Sequence, residues 1–139
     1  MTDPAITLGG KTALVTGASR GIGRTIASVL ARCGARVIGV GTSIETDDAG
    51  LSDEIAAAGG AFRPLSCDLS DRARIETMIQ TFDAEGDEID ILVNNAGIIR
   101  REKAAQHSLE DWDSVMAVNI DAVFLLTREL GRRMLARGG

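Results

Sequence analysis

The chain has 139 residues, of which 45% are hydrophobic and 25% are charged, a balance typical of one soluble globular domain. The net charge of −5 argues against nucleic acid as a partner, because phosphate binding needs a basic protein face. No run reaches the ~18 apolar residues of a membrane span, and Met1–Pro4 has neither the basic nor the apolar region of a secretory signal. We therefore expect a cytoplasmic protein that binds neither nucleic acid nor membranes.

The cysteine and histidine content predicts no metal site. Cys33 and Cys67 form no Cys-x-x-Cys motif, and His107, the sole histidine, has no cysteine near it in the sequence. Both cysteines are expected to be buried thiols that pack in the core.

Short apolar runs alternate with segments of helical periodicity along the chain. In chain order, the predicted elements are strand Lys11–Thr16, helix Gly21–Cys33, strand Arg36–Val40, helix Ala49–Ala58, strand Ala61–Cys67, helix Arg72–Ala84, strand Ile89–Val93 and helix Leu109–Arg137. The polar segment between residues 41 and 50 predicts a loop. This alternation predicts an α/β fold with a Rossmann-type doubly wound parallel sheet, and right-handed crossovers give the strand order 3-2-1-4.

Two apolar features refine these elements. The third strand contains Pro64, which favours an edge position because proline cannot donate to a neighbouring strand. The first helix carries one apolar side, which is formed by Ile22, Ile26, Val29 and Leu30.

Polar residues mark the helix starts and one irregular point. Ser70 or Asp71 is expected to cap the third helix, and Ser108 caps the last helix with Asp111 completing a loose capping box. Asn119 lies inside the last helix, where asparagine is unfavourable. It indicates a local kink or a bound water, and the alternative is an ordinary surface asparagine.

A glycine-rich turn, Gly17-Ala-Ser-Arg-Gly21-Ile-Gly23, follows the first strand and opens the first helix. A pyrophosphate needs close backbone approach and free amide donors at a helix N-terminus, and glycines at these positions provide both. Ser19 and Arg20 add side-chain donors. The spacing differs from the Gly-x-Gly-x-x-Gly fingerprint, and no Gly-Lys-Ser/Thr closes it as in a P-loop. The alternative is a plain glycine loop.

Polar residues also follow the third and fourth strands. Asp68 ends the third strand, where a carboxylate can accept from an adenine amino group; helix capping is the alternative, although Asp71 can serve that role. The fourth strand ends in Asn94–Gly97, whose amides can bond neighbouring strands and whose small residues leave room for a flat ring. Both segments fall at the carboxyl edge of the sheet, where ligands bind.

In combination and in order, the segments Thr16–Gly23, Asp68-Leu69, Asn94–Gly97 and Asn119 resemble the short-chain dehydrogenase/reductase family. The resemblance implies an NAD(P)-dependent oxidoreductase that transfers a hydride between the nicotinamide and a hydroxyl or keto group. It implies that Asn119 is the asparagine of the catalytic tetrad, which holds a water in a proton relay. The implied cofactor contacts are Gly17, Ser19, Arg20, Gly21, Ile22, Gly23, Asp68, Leu69, Asn95, Ala96 and Gly97.

A closer resemblance, through Asn94–Glu102, Asp111-Trp112 and Val118–Ile120, is to the 2-deoxy-D-gluconate 3-dehydrogenase branch of that family. It implies a small-molecule substrate, a sugar acid whose carboxylate suits an arginine. Arg100 or Arg101 is the candidate contact, and a solvated arginine pair is the alternative.

The family also uses a serine and a Tyr-x-x-x-Lys motif beyond Asn119, but this chain has no tyrosine. We therefore expect residues 1–139 to form a single NAD(P)-binding domain that is incomplete at its C-terminus, ends after about four strands and is inactive alone. The fourth strand then lies at an exposed sheet edge. The last helix is expected to expose apolar side chains such as Val123, Leu126 and Leu130, which full-length relatives bury, so the isolated chain is expected to be marginally stable or oligomeric. The resemblance implies a homo-oligomer for the full-length family.

The sequence leaves the choice between NAD and NADP open. A carboxylate after the second strand would select NAD, but the segment Val40–Ser43 has neither a carboxylate nor a base. Arg20 favours the 2′-phosphate of NADP, whereas the sugar-acid branch favours NAD.

Three other functions are weighed against the oxidoreductase. A non-catalytic nucleotide-binding module would share the same cofactor site. An S-adenosylmethionine methyltransferase also uses a glycine turn, but it normally has an acidic residue after the second strand. A hydrolase built from His107, Ser108 and Asp111 is disfavoured, because helix capping accounts for the serine and the aspartate.

Overall fold

The computed structural model describes residues 5–139. The segment Met1–Pro4, to which the expectation of no secretory signal applies, lies outside the described residues. Within the described residues, four strands and five α-helices follow one another. In chain order they are β1 (Thr12–Thr16), α1 (Gly21–Arg32), β2 (Arg36–Gly41), α2 (Leu51–Ala57), β3 (Ala61–Ser66), α3 (Arg72–Glu85), β4 (Ile91–Val93), α4 (Leu109–Met116) and α5 (Ala122–Ala136).

The four strands form one parallel sheet in the order β3-β2-β1-β4, as predicted. Pro64 lies in β3 opposite Gly39 of β2, and β3 is an edge strand as predicted. Proline is tolerated at an edge because no further strand there requires its missing N–H donor. β4 is the other edge and begins two residues later than expected. The Asp90 carboxylate accepts the Thr12 N–H at 2.9 Å, so a side chain takes the place of a strand-to-strand bond there.

Each face of the sheet packs against its own helices, as a doubly wound fold requires. Successive strand residues point to opposite faces, so Leu14 joins one core while Ala13 and Val15 join the other. The core beneath α3 and α5 includes Ile75, Phe82, Leu126 and Leu130. The core beneath α1 and α2 includes Ala27, Ala31, Leu51 and Ile55.

The expected apolar side of α1 is wrong in detail. Ile22 is 74% exposed and Val29 is 40% exposed, and the helix instead turns Ala27 and Ala31 to the sheet. A helix that approaches a sheet closely needs small side chains at the contact, so hydrophobicity alone identifies the wrong stripe. Ile26 and Leu30 are partly buried at the margin of this core.

The expected exposure of the last helix is also wrong for two of its three residues. Leu126 and Leu130 are 1% and 2% exposed because α5 packs them against α3 and the sheet, and Val123 is partly buried. The exposed large apolar side chains of this region are instead Leu109, Trp112, Ile120, Phe124 and Leu135. Within residues 5–139 no helix is both long and apolar enough to cross a membrane.

The predicted long helix is interrupted at the residue that indicated a kink. A π-helical turn, Ala117–Asp121, separates α4 from α5 and contains Asn119. Ser108 caps α4 as expected, since its hydroxyl accepts the Asp111 N–H at 3.0 Å. The irregular turn moves the Asn119 side chain off the regular helical track and towards the segment after β4.

Candidate functional site

A cleft of about 630 Å³ opens at the carboxyl ends of the strands, between the start of α1 and the segments that follow β2, β3 and β4. Open α/β sheets bind their ligands at this edge. All of the predicted cofactor contacts except Gly23 line the cleft, namely Gly17, Ser19, Arg20, Gly21, Ile22, Asp68, Leu69, Asn95, Ala96 and Gly97. The topology thus brings three sequence-distant segments to one surface.

The glycine turn presents an uncapped helix start to the cleft. α1 begins at Gly21, and the extended Arg20 before it makes no side-chain capping bond to the first amides. Gly21 has a φ of +60°, and a Cβ added to it would meet no atom within 4 Å, so its backbone is open to the cleft. Because a helix N-terminus carries unpaired N–H donors and partial positive charge, this turn suits an anionic group such as a pyrophosphate.

The other two glycines of the turn allow close packing. Gly17 has a φ of +67°, and a Cβ there would lie 2.9 Å from the Asn95 amide nitrogen. A Cβ on Gly23 would lie 2.0 Å from the Gly17 carbonyl oxygen, a contact no side chain can make. Gly23 therefore keeps α1 against the turn itself, so its role is packing.

A hydrogen-bond network joins the turn to the end of β4. The Asn95 side-chain amide donates to the carbonyl oxygens of Thr16 at 3.1 Å and Gly17 at 3.2 Å. The Thr16 hydroxyl accepts the N–H groups of Asn95 at 3.0 Å and Ala96 at 2.9 Å. Thr16 is 2% exposed, so these bonds are shielded from water. The network sets the distance between the glycine turn and the opposite wall of the cleft.

Asp68 is held in place by the residue two positions further on. Its carboxylate accepts from the Ser70 hydroxyl at 2.7 Å and the Ser70 N–H at 3.0 Å, and these bonds lower the pKa of the carboxyl below its ordinary value. Asp71 caps α3 through the N–H groups of Ala73 and Arg74, so Asp68 is not the helix cap. An ionised, fixed carboxylate therefore faces the cleft and can accept a hydrogen bond.

Asn119 bonds the backbone of the segment after β4. Its side-chain oxygen accepts the Ile98 N–H, and its side-chain nitrogen donates to the Ile98 carbonyl oxygen, both at 2.9 Å. Its oxygen also lies 3.5 Å from the position of a Cβ on Gly97. Asn119 itself does not line the cleft, so in this structure its amide fixes the wall that Gly97 and Ile98 form.

The two candidate substrate arginines differ in position. Arg100 lines the cleft and its Nε lies 3.8 Å from an Asp111 carboxylate oxygen, whereas Arg101 is exposed and does not line it. The ring nitrogens of His107 lie near the carbonyl oxygens of Arg100 and Ser108, at 3.0 and 3.4 Å, rather than against the Ser108 hydroxyl. This arrangement gives no support to the hydrolase alternative.

Several residues of the site were missed in the sequence. Thr16 organises two amides, and a buried threonine at the end of an otherwise apolar strand is the signal that identifies it. Thr42, Cys67 and Ser114 line the cleft without a distinctive local pattern. Among the described residues, no group of three or more histidine, cysteine, aspartate or glutamate side chains is placed to hold a metal ion.

Known proteins share both the sequence and the fold. The chain is 46% identical over 130 residues to the 2-dehydro-3-deoxy-D-gluconate 5-dehydrogenase of Pseudoalteromonas atlantica, covering 94% of this chain and 51% of that protein. It is 44% identical to the D-threitol dehydrogenase of Mycolicibacterium smegmatis, covering 95% of this chain and 50% of that protein. The chain spans about half the length of these relatives.

A crystal structure from Agrobacterium tumefaciens, described as a 2-deoxy-D-gluconate 3-dehydrogenase with bound NADP, superposes with a TM-score of 0.81 at 41% identity. The match covers 95% of this chain and 50% of that one. A family model for short chain dehydrogenases matches residues 11–139. The chain therefore belongs to the short-chain dehydrogenase family, as the glycine turn and the residues after β3 and β4 predicted.

Proposed function

We propose that residues 1–139 form the dinucleotide-binding part of an NAD(P)-dependent oxidoreductase, which transfers a hydride between a nicotinamide and a hydroxyl or keto group. The single observation that carries the proposal is the uncapped, open start of α1 at Gly21, which faces the cleft. Asp68 and the segment Asn95–Gly97 border the same cleft, so an adenine, a pyrophosphate and a flat ring each have a complementary surface.

Within this proposal NADP is the preferred cofactor. NAD selection normally depends on a carboxylate after the second strand, and Gly41-Thr42-Ser43 supplies none. Arg20 and Thr42 line the cleft together, so a guanidinium and a hydroxyl are available to a 2′-phosphate. The NADP in the structure of the Agrobacterium relative is consistent with this preference.

We further propose that the substrate of the whole protein is a sugar acid such as 2-deoxy-D-gluconate. The Pseudoalteromonas relative is a sugar-acid dehydrogenase by name, and Arg100 lines the cleft where a carboxylate would need a cation. The Mycolicibacterium relative, named for a polyol, shows that identity over this half does not fix the substrate. The reaction of this family also requires the serine and the Tyr-x-x-x-Lys motif, so we expect residues 1–139 alone to bind cofactor without turnover. We also propose, from the family resemblance, that the full-length protein forms a homo-oligomer.

Direct titration tests the proposal. The 139-residue chain is titrated with NADPH and with NADH by calorimetry, and the Arg20→Ala variant is compared with Arg132→Ala, which removes a 67% exposed arginine far along the chain. Loss of one charged hydrogen bond of about 1.5–3 kcal/mol raises the Kd for NADPH by roughly ten- to a hundredfold. We expect this change in Arg20→Ala, little change in its Kd for NADH, and none in Arg132→Ala. Binding of neither dinucleotide by the unaltered chain refutes the proposal.

The second candidate is a nucleotide-binding module without catalysis. The observation that favours it is the lack of any tyrosine in the chain, which leaves Asn119 as the one candidate member of the tetrad. Both candidates expect NADPH binding. They differ when the gene is read beyond the codon for Gly139, because only the oxidoreductase expects a Tyr-x-x-x-Lys motif there and NADPH oxidation by the encoded protein.

A further inference from the structure

The loop between β2 and α2, residues 42–50, is fixed to its surroundings at several points. Ile44 is 1% exposed and belongs to the core beneath α1 and α2. Glu45 and Ser66 bond reciprocally: the Glu45 N–H donates to the Ser66 hydroxyl at 3.2 Å, and the Ser66 N–H donates to the Glu45 carboxylate at 2.7 Å. These contacts hold the first half of the loop to the end of β3.

The second half of the loop is held by Arg24, which lies on α1 directly after Gly23. One guanidinium nitrogen donates to the Asp48 carbonyl oxygen at 2.9 Å, and the other donates to the Glu54 carboxylate at 2.8 Å. The Ser28 hydroxyl donates to the second oxygen of that carboxylate at 2.9 Å. A single side chain of α1 therefore bonds both the loop and the helix α2 that follows it.

The peptide that Arg24 contacts lies at a strained point of the loop. Asp48 is followed by Ala49 with a φ of +53° and Gly50 with a φ of +83°. The Asp48 carboxylate accepts from the N–H groups of Gly50 and Ser52, both at 2.9 Å, and from the Ser52 hydroxyl. Because a non-glycine residue at positive φ costs free energy, external contacts are needed to keep the loop on this path.

The same loop forms the wall of the cleft next to the glycine turn. Thr42 lines the cleft, and a Cβ added to Gly41 would lie 3.6 Å from the Ser19 hydroxyl oxygen and 3.2 Å from the Ile44 Cβ. The loop therefore has little free space on the side that faces the glycine turn.

We infer that Arg24 is a positioning residue for cofactor recognition: its bonds to Asp48 and Glu54 hold the 42–50 loop so that Thr42 meets the ribose 2′ position. This inference rests on the proposed function, and Arg24 itself does not line the cleft. A loop that already has its binding conformation needs no ordering when the dinucleotide binds. If the loop samples other conformations, the apparent Kd equals the intrinsic Kd divided by the fraction of molecules whose loop is in the binding conformation. The effect falls on NADPH more than on NADH, because only NADPH carries the 2′-phosphate.

The test is a comparison of matched variants of the 139-residue chain. Arg24→Met removes the guanidinium and keeps an apolar stem, and Arg32→Met makes the same change two turns further along α1, at an exposed residue. Glu54→Gln weakens the ion pair while keeping the contact with Asp48. Calorimetry gives the Kd values for NADPH and NADH, and hydrogen exchange of the amides of residues 42–48 is measured in the free chain.

If about a tenth of the Arg24→Met molecules keep a competent loop, the Kd for NADPH rises about tenfold. We expect a rise of less than about threefold for NADH, faster exchange in residues 42–48, and unchanged values in Arg32→Met. Glu54→Gln should fall between Arg24→Met and the unaltered chain. Equal losses for the two dinucleotides, or unaltered exchange and affinity, overturn the inference while the proposed function stands. Failure of the unaltered chain to bind either dinucleotide overturns both.

Discussion

Replacement of Gly23 by alanine is expected to destabilise the fold, although alanine is the better helix former. Gly23 lies inside α1, where alanine gains about 1 kcal/mol over glycine by propensity. The added Cβ would stand 2.0 Å from the Gly17 carbonyl oxygen, 2.4 Å from the Asn95 amide nitrogen and 2.7 Å from the Gly17 carbonyl carbon. Ordinary van der Waals contact begins near 3.4 Å, so α1 or the glycine turn must move.

The magnitude follows from what that movement breaks. Overpacking of this kind costs about 1–3 kcal/mol. The Asn95 amide bonds both the Thr16 and Gly17 carbonyl oxygens, and each lost hydrogen bond adds about 1 kcal/mol. After the gain in helix propensity is subtracted, we expect Gly23→Ala to lower the free energy of unfolding by about 2–4 kcal/mol.

Gly131 provides the matched control, because it lies in α5 and a Cβ there would meet no atom within 4 Å. Gly131→Ala should raise the free energy of unfolding by about 1 kcal/mol, so the two variants shift the urea midpoint in opposite directions. Far-ultraviolet circular dichroism during urea denaturation measures both. Equal stability of the two variants would refute the close contact between α1 and the turn.

Two further predictions concern ionisable groups. The Asp87 carboxylate is 5% exposed between Arg36 and Arg63; burial raises its pKa, but the two ion pairs outweigh burial and hold the pKa below the ordinary 3.8. The ionised carboxylate therefore contributes its full stabilisation at pH values above 3.8, and this contribution is lost as the pH falls through the folded-state pKa. We expect the urea concentration at the unfolding midpoint to decrease when the pH is lowered below about 4, and to decrease less in Asp87→Asn. A midpoint that does not change between pH 5 and pH 2.5 would contradict this. Burial raises the pKa of the Cys67 thiol to about 11, whereas Cys33 is partly exposed. Iodoacetamide at pH 8 should therefore modify Cys33 first, and mass spectrometry measures the labelling of each cysteine. Faster labelling of Cys67 would show that the end of β3 opens.

The sequence predicts the strand order well because the periodicity of apolar residues and the alternation of strands and helices along the chain determine that order. Four short apolar runs separated by helices leave few arrangements of a parallel sheet, and the observed order matches. The irregular turn at Asn119 was also predictable, since one polar residue unfavourable in a helix stands among apolar neighbours. Local rules of this kind succeed where a single residue conflicts with its surroundings.

Prediction from the sequence fails where the distance between a helix and its neighbours determines which side chains are buried. α1 buries Ala27 and Ala31 and exposes Ile22, because its contact with the sheet and the glycine turn is too close for a large side chain. Leu126 and Leu130 are buried by α3, an element whose position relative to α5 no local pattern specifies. The contacts of Arg24 with Asp48 and Glu54 span 24 and 30 residues and could not be read from spacing.

The polar residues in and behind the walls of the cleft fall into two groups by their hydrogen bonds. Thr16, Asn95 and Asn119 use their side chains on backbone groups of the protein, so they set the shape of the cleft. The open amides at the start of α1 and the side chains of Arg20 and Asp68 border the cleft, and we propose that they recognise the ligand. Substitutions in the first group should therefore lower stability and affinity together, whereas Arg20→Ala should lower affinity at constant stability.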